Sequence, residues 1–234
     1  MIGIPREWVL QPRAFTEDEV SAMRSALLRS PLVGQSPLTG TFKASRGFAV
    51  TFTDAGAAEL EQRLPALGRF LSLVLSLFSS PTLWPWSSQL RPSSVRPCNA
   101  FYLNLLVLSD GSGVGRHLDG TLRGPSGEGD AVPRRVSVLY LSGGAALGSL
   151  RLWREARCLA RVDPVAGAMV HFRGDLDHEV LPGLPGEVRA SLVCEQYTLT
   201  AEALARLPPL RMQSKAGFAA HLEDHRRRSG PRSS

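Results

Sequence analysis

Between residues 99 and 200 the chain is built from short β-rich runs broken by Gly, Pro and Asp turns: AFYLNLLVL, RRVSVLYL, GSLRLW, GAMVHF and RASLVCEQYTL. Strands of this length and spacing point to an all-β sandwich or barrel rather than to βαβ units. The flanks are different. TEDEVSAMRSALL carries Thr16 and, three residues on, Glu19, the pattern of a capping box ahead of an apolar run. Residues 54–78 place Leu60, Leu64, Leu67, Phe70, Leu71 and Val74 near helical spacing, with Pro65 expected to kink or divide the helix. RGFAVTF alternates like a short strand, and SSPTLWPWSSQLRPSSVRP reads as a Pro/Ser/Trp-rich connector. After Thr200, TAEALARL and SKAGFAAHLEDH return to helical texture. The expected layout is a mainly β, α+β chain: a helical region and connector over 1–98 packing on the core, a β-domain over 99–200, and a C-terminal helix with a basic tail over 201–234.

At 234 residues and 43% hydrophobic content the chain can fill one core and is short for two. Its net charge of +6 suggests an anionic partner, but the distribution weakens that reading. Lysine occurs only at Lys43 and Lys215, the arginines are spread along the chain, and the one dense run, HRRRSGPR, reads more simply as a solvated tail. Cys98, Cys158 and Cys194 form no CxxC pair, which argues against a disulfide scaffold or a structural zinc site and fits a reducing compartment. Cys158 and Cys194 fall in strand-like runs and are expected in the core or the barrel wall. The N-terminus lacks the apolar stretch of a secretory signal, and FLSLVLSLF is too short to cross a bilayer. An intracellular, cytoplasmic protein is expected.

The chemistry begins in VGRHLDGTL. In an extended segment, side chains at i and i+2 share a face, so His117 and Asp119 can point into one cavity, and Gly120 would let the chain leave that wall without a Cβ in the way. One imidazole and one carboxylate are two adjacent ligands. A third from a neighbouring strand would complete a facial triad, which leaves three positions of an octahedral metal open, as in non-haem Fe(II) oxygenases. Taken alone, an HxD pair is more often a hydrogen bond at a strand end. HFRGDLDHEVLPGLPGEVRASL changes the weighing: His178 opens a strand-like run, and Arg189 follows eleven residues later with Ser191 on the same face. A guanidinium fork and a hydroxyl suit the distal carboxylate of a bound dicarboxylic acid. His171, seven residues before His178, is the rival third ligand and would suit a cupin-like metal-binding module. His178 is preferred because its spacing to Arg189 fits and because His171 beside Phe172 reads as a strand residue of the wall.

Residues 99–200 resemble the Fe(II)/2-oxoglutarate dioxygenases, and within them the prolyl 4-hydroxylase-like branch, through DGSGVGRHLDG, VSVLYL, GSLRLW, VDPVAGAMVHF and HEVLPGLPGEVRASL. The resemblance implies a double-stranded β-helix, or jelly roll. It further implies that His117, Asp119 and His178 are the iron ligands, that Arg189 pairs with the 5-carboxylate of 2-oxoglutarate, and that the hydroxyl of Tyr140 reaches the same carboxylate. Fe(II), 2-oxoglutarate and O2 follow as cofactor and co-substrates, with ascorbate (vitamin C) as a further candidate. The implied reaction couples decarboxylation of 2-oxoglutarate to succinate and CO2 with hydroxylation of an unactivated C–H bond. Two positions depart from the family. Val107 stands where a tyrosine is common about ten residues before the first ligand, with Tyr102 five residues earlier, and CEQY stands where an aromatic often ends the last strand. Both positions line the substrate side in the family, so they leave the substrate open rather than the chemistry.

The Gly/Pro-rich stretch GTLRGPSGEGDAVP after Asp119 is either a lid or a plain surface loop. His221 and His225, at i and i+4 in HLEDH, lack the glutamate position of HExxH and a third ligand, and GSGVG is a turn rather than a phosphate-binding loop. Three function classes remain. The first is an oxygenase acting on a protein or peptide side chain such as a prolyl residue. The second is an oxygenase acting on a nucleic-acid base or small metabolite, for which the positive charge is the only support. The third is a non-catalytic binding module with a vestigial triad, which has no reason to keep all of His117, Asp119, His178 and Arg189.

Overall fold

Three nine-residue strands carry the architecture: β3 (Ser45–Thr53), β4 (Ala100–Leu108) and β11 (Arg189–Tyr197). In the computed structural model, which describes residues 7–35, 45–76, 97–122 and 132–214, they lie in one antiparallel sheet. The sheet is completed by β1 (Trp8–Gln11), β6 (Arg135–Tyr140), β9 (Met169–Arg173) and β12 (Leu210–Ser214) in the order β1-β9-β6-β11-β4-β3-β12, with β2 (Gly34–Gln35) also paired to β3. A second sheet has the order β5-β10-β7-β8, formed by β5 (Val114–His117), β7 (Leu150–Arg154), β8 (Arg157–Val162) and β10 (Asp177–Val180).

Period-2 alternation decides what each face of the large sheet meets. Phe101, Leu103, Leu105 and Val107 of β4, with Ala190, Leu192 and Cys194 of β11, turn to one side. There they pack with α1 (Glu17–Leu28), α2 (Ala57–Arg63) and α3 (Gly68–Ser76) through Val20, Met23, Leu27, Leu60, Phe70, Leu71 and Val74. Phe48, Phe52, Phe70 and Phe101 are each at most 1% exposed, and burying a side chain of that size contributes roughly 1.5–3 kcal/mol before chain entropy is counted. The opposite face meets the small sheet: Val136, Val138 and Tyr140 pack with Leu150, Leu152, Ala160 and Val162. Two antiparallel sheets face to face, one backed by helices, make the sandwich that the β-run spacing points to and the jelly-roll layout that the resemblance implies.

Local expectations hold where the signals were strong. Thr16 and Glu19 form the reciprocal capping box of α1. Pro65 opens a 3-10 turn over Pro65–Leu67 that divides α2 from α3. RGFAVTF is the interior of β3, a full strand of the large sheet rather than a short flanking one, so residues before 98 join the sheet as well as cover it. After α4 (Ala201–Ala205), β12 pairs with β3 where a helical tail was expected, because Pro208 and Pro209 end the helix and Leu210 and Met212 pack on the helix-side core. Cys194 is buried as expected, whereas Cys158 is exposed on β8, next to the turn that joins it to β7. Among the described residues no helix is long and apolar enough to cross a membrane. His221, His225 and most of the stretch after Asp119 lie outside the described residues.

Candidate metal centre

His117 ends β5 and His178 is the second residue of β10; the two are direct cross-strand partners in an antiparallel pair. Their ring centroids are 4.2 Å apart. The register slips between His178 and Val180, an irregularity of the kind that re-aims side chains at sites. Asp119 lies just past the end of β5, 7% exposed, and puts one carboxylate oxygen 3.5 Å from Nε2 of His117 and the other 3.5 Å from Nε2 of His178. One ligand atom from each of the three lies within 4.8 Å of the others. Outside the cavity, Arg116 and Asp177, the residues preceding the two histidines, form an ion pair across the same strands, and the guanidinium stacks 4.8 Å over the Trp153 ring.

The tautomers follow from the partners. His117 Nδ1 is 2.8 Å from the Gly115 carbonyl and His178 Nδ1 is 3.4 Å from the Leu176 carbonyl. A carbonyl only accepts, so each Nδ1 carries its proton and each Nε2 lone pair is left for a cation. Burial opposes a charge on His117, yet the hydrogen bond and charge of Asp119, helped by the Gly115 carbonyl, outweigh it and raise the imidazole above its ordinary value. The site draws positive charge. Two neutral nitrogens and one carboxylate fit a first-row divalent metal with open positions.

Arg189 and Ser191 share the inward face of β11 and line the same cavity. Tyr140 is the register partner of Ser191 on β6, and its ring stands 5.2 Å from the Arg189 guanidinium rather than on the cavity surface. Arg189 is 3% exposed and donates through Nη1 to the Gly148 carbonyl at 3.0 Å. Gly148 holds that carbonyl in place with φ +78, and a Cβ there would come within 1.9 Å of the Leu181 carbonyl oxygen. The buried Tyr140 hydroxyl has the Arg189 guanidinium as its hydrogen-bonding neighbour, and among the described residues no carboxylate forms an ion pair with Arg189. Burial lowers the guanidinium from its ordinary value and pushes the Tyr140 phenol up to about 12. A buried guanidinium without a counter-charge is costly unless an anion completes it. The residues present therefore fit a bound carboxylate at this end and a metal at the other.

Sequence reasoning misplaced or missed four features. Val107 faces the helices; the cavity wall on β4 is formed by Asn104 and Leu106, one residue out of phase. Gly120 needs no missing Cβ, since one built there meets open space and its φ is not left-handed. His171 is fully buried on the helix side of β9, with Nδ1 2.8 Å from Ser137 Oγ and Nε2 3.4 Å from Gln11 Oε1, and burial lowers it to about 3. It is a satisfied core histidine. The fourth is Glu195, buried in the cavity wall, whose carboxylate accepts from Thr121 N, Thr121 Oγ1 and the Tyr197 hydroxyl. Burial and the charge of Asp119 push Glu195 up to about 8 against the pull of those hydrogen bonds. A glutamate in the inward register of a strand, among Ser191, Val193 and Tyr197, was the signal for it.

No protein-family model matches the sequence, and no curated protein matches it either. Solved structures do match in fold. A Pseudomonas putida prolyl-4-hydroxylase is 23% identical with a TM-score of 0.53, covering 83% of this chain and 94% of that one. A prolyl hydroxylase from Trichoplax adhaerens, in complex with a hypoxia inducible factor peptide fragment, is 15% identical with a TM-score of 0.58 over 86% and 88% of the two chains. The non-heme alpha ketoglutarate dependent epimerase SnoN from nogalamycin biosynthesis is 18% identical with a TM-score of 0.54 over 89% and 90%. The chain has the jelly-roll fold of the 2-oxoglutarate-Fe(II) oxygenases, prolyl hydroxylases among them.

Proposed function

We propose that this protein is an Fe(II)- and 2-oxoglutarate-dependent dioxygenase that hydroxylates an unactivated C–H bond on a protein side chain such as a prolyl residue. The observation that carries the reading is the pairing of the His117–Asp119–His178 cluster with a buried, counter-charge-free Arg189 in one cavity. The prolyl hydroxylases among the fold neighbours, one of them holding a peptide, support a peptide substrate. The same fold also carries an epimerase and a carbocyclase, so the choice of hydroxylation rests on the resemblance of the motifs.

In this reading His117, Asp119 and His178 hold the metal, and Arg189 and Ser191 bind the distal carboxylate of 2-oxoglutarate with Tyr140 beside the guanidinium. When bound, the iron with 2-oxoglutarate and O2 supplies the oxidation, which yields succinate, CO2 and a C–OH in place of a C–H bond. The main-chain carbonyls of Gly115 and Leu176 keep Nε2 as the lone-pair nitrogen of each neutral imidazole, and because Asp119 raises His117, the Nε2 proton of that residue has to leave, wherever it is charged, before a metal binds. The Phe172 ring, 5.0 Å from that of His178, holds the imidazole plane. Val138, Leu150 and Val193 line the cavity between the two polar ends and limit water there.

Anaerobic titration of the protein and Fe(II) with 2-oxoglutarate tests this directly. A weak visible charge-transfer band should grow in, and admitting air should release succinate. His178→Ala should abolish both; equal turnover in that variant would remove His178 from the ligand set.

A further inference from the structure

Asp119 has no strand to hold it. β5 stops at His117, Leu118 is 39% exposed, and Gly120 borders open space. A carboxylate on such a segment is steadied by what ties down the chain beyond it. One such tie is on the far strand. Thr121 donates through its backbone N–H to Glu195 Oε2 at 3.2 Å and through its hydroxyl to Glu195 Oε1 at 2.7 Å. The same N–H lies 2.9 Å from the Tyr197 hydroxyl, which itself donates to Glu195 Oε2. Glu195 is 2% exposed and Tyr197 1%, with Tyr102 and Leu122 packed in the same apolar cluster as the phenol, so the anchor is buried.

We infer that Glu195, with Tyr197, is a positioning clamp that grips Thr121 and thereby fixes the Asp119 carboxylate between His117 and His178. The inference rests on the metal reading of the triad. Its consequence is that β11 holds both ends of the cavity: Arg189 and Ser191 face the anion end, while Glu195 and Tyr197, six and eight residues on, set the geometry of the metal end. Its partners, the Thr121 N–H and hydroxyl and the Tyr197 hydroxyl, tie Glu195 to the segment after Asp119, so its role is to hydrogen-bond that segment rather than to ligate. A carboxamide could do the same, because Gln offers one acceptor oxygen to Thr121 N–H and Tyr197 and an NH2 that can donate to the Thr121 hydroxyl oxygen.

Mn(II) binding by the full chain, read as loss of the free-ion electron paramagnetic resonance signal, tests the clamp without turnover. Glu195→Leu should weaken Mn(II) binding by about 10–100-fold, the range for partners that orient metal ligands. Glu195→Gln should weaken it by less than about tenfold. The double variant Thr121→Val/Tyr197→Phe keeps the apolar shape and removes both hydroxyl donors, and it should fall with Glu195→Leu. Unfolding midpoints and circular dichroism establish that each variant is folded, and if Glu195→Leu is not, the double variant decides. Wild-type affinity in the double variant overturns the clamp, as does a loss in Glu195→Gln equal to that in a folded Glu195→Leu. Failure of the wild-type protein to bind Mn(II) would instead bring down the metal reading, and the clamp with it.

Discussion

The two faces of β11 are made by one nine-residue strand and do opposite work. Ala190, Leu192 and Cys194 face the helices and are apolar, fully buried and surrounded by other apolar side chains. Arg189, Ser191 and Glu195 face the small sheet and are just as buried, yet each presents a polar group to the cavity. Equal burial with opposite chemistry shows that depth alone does not separate core from site. The helix-side face returns free energy to the fold, whereas the cavity face buries polar groups at a desolvation cost.

That contrast can be broken by changing one residue on each face. The largest effect is expected for Leu192→Ala, which should destabilise the protein by about 2–5 kcal/mol through lost burial and a cavity, measured by denaturant unfolding. The KM for 2-oxoglutarate of the remaining folded protein should not move. Arg189→Ala should do the reverse. Losing a charge-assisted hydrogen-bond partner is worth about 1.5–3 kcal/mol, so the apparent KM for 2-oxoglutarate should rise roughly 10- to 150-fold with Mn(II) affinity little changed. A large stability loss in Arg189→Ala with an unchanged KM would erase the distinction between the faces.

The smallest effect sharpens the comparison on β9, where His171 lies on the helix side and Val170 and Phe172 face inward. Burial holds His171 at about 3, below its value in the unfolded chain. Between about pH 6.5 and the folded value the unfolded state takes up a proton that the folded state refuses, so the stability tied to neutral His171 is present above that window and is lost as pH falls through it. His171→Gln should therefore show a shallower decline of unfolding midpoint from pH 6.5 towards 4 than the wild type. Parallel declines would mean that His171 is protonated in the fold.

Much of the site was legible because it follows strand periodicity. His117 and Asp119 sit two apart, Arg189 and Ser191 sit two apart, and His117, Asp119 and His178 fall in the order the resemblance implies. Phase was harder. The resemblance places Val107 on the substrate side by its distance from His117, but the turn at Asp110 and Gly111, both at positive φ, breaks the count between β4 and β5. β1 and β12 were hidden because runs of four and five residues carry almost no periodic signal, and their pairing partners are distant in the chain. The Glu195–Thr121 contact joins residues 74 apart, one in a strand and one in irregular chain, and no local pattern encodes such a meeting.

Both imidazoles take their orientation from backbone oxygens, at Gly115 and Leu176. Replacing the side chain at position 115 or 176 cannot delete those acceptors, so the protonation pattern that readies the nitrogens is insulated from point mutation. Drift in sequence can reshape what enters the cavity while leaving the presentation of those two lone pairs to the path of the main chain.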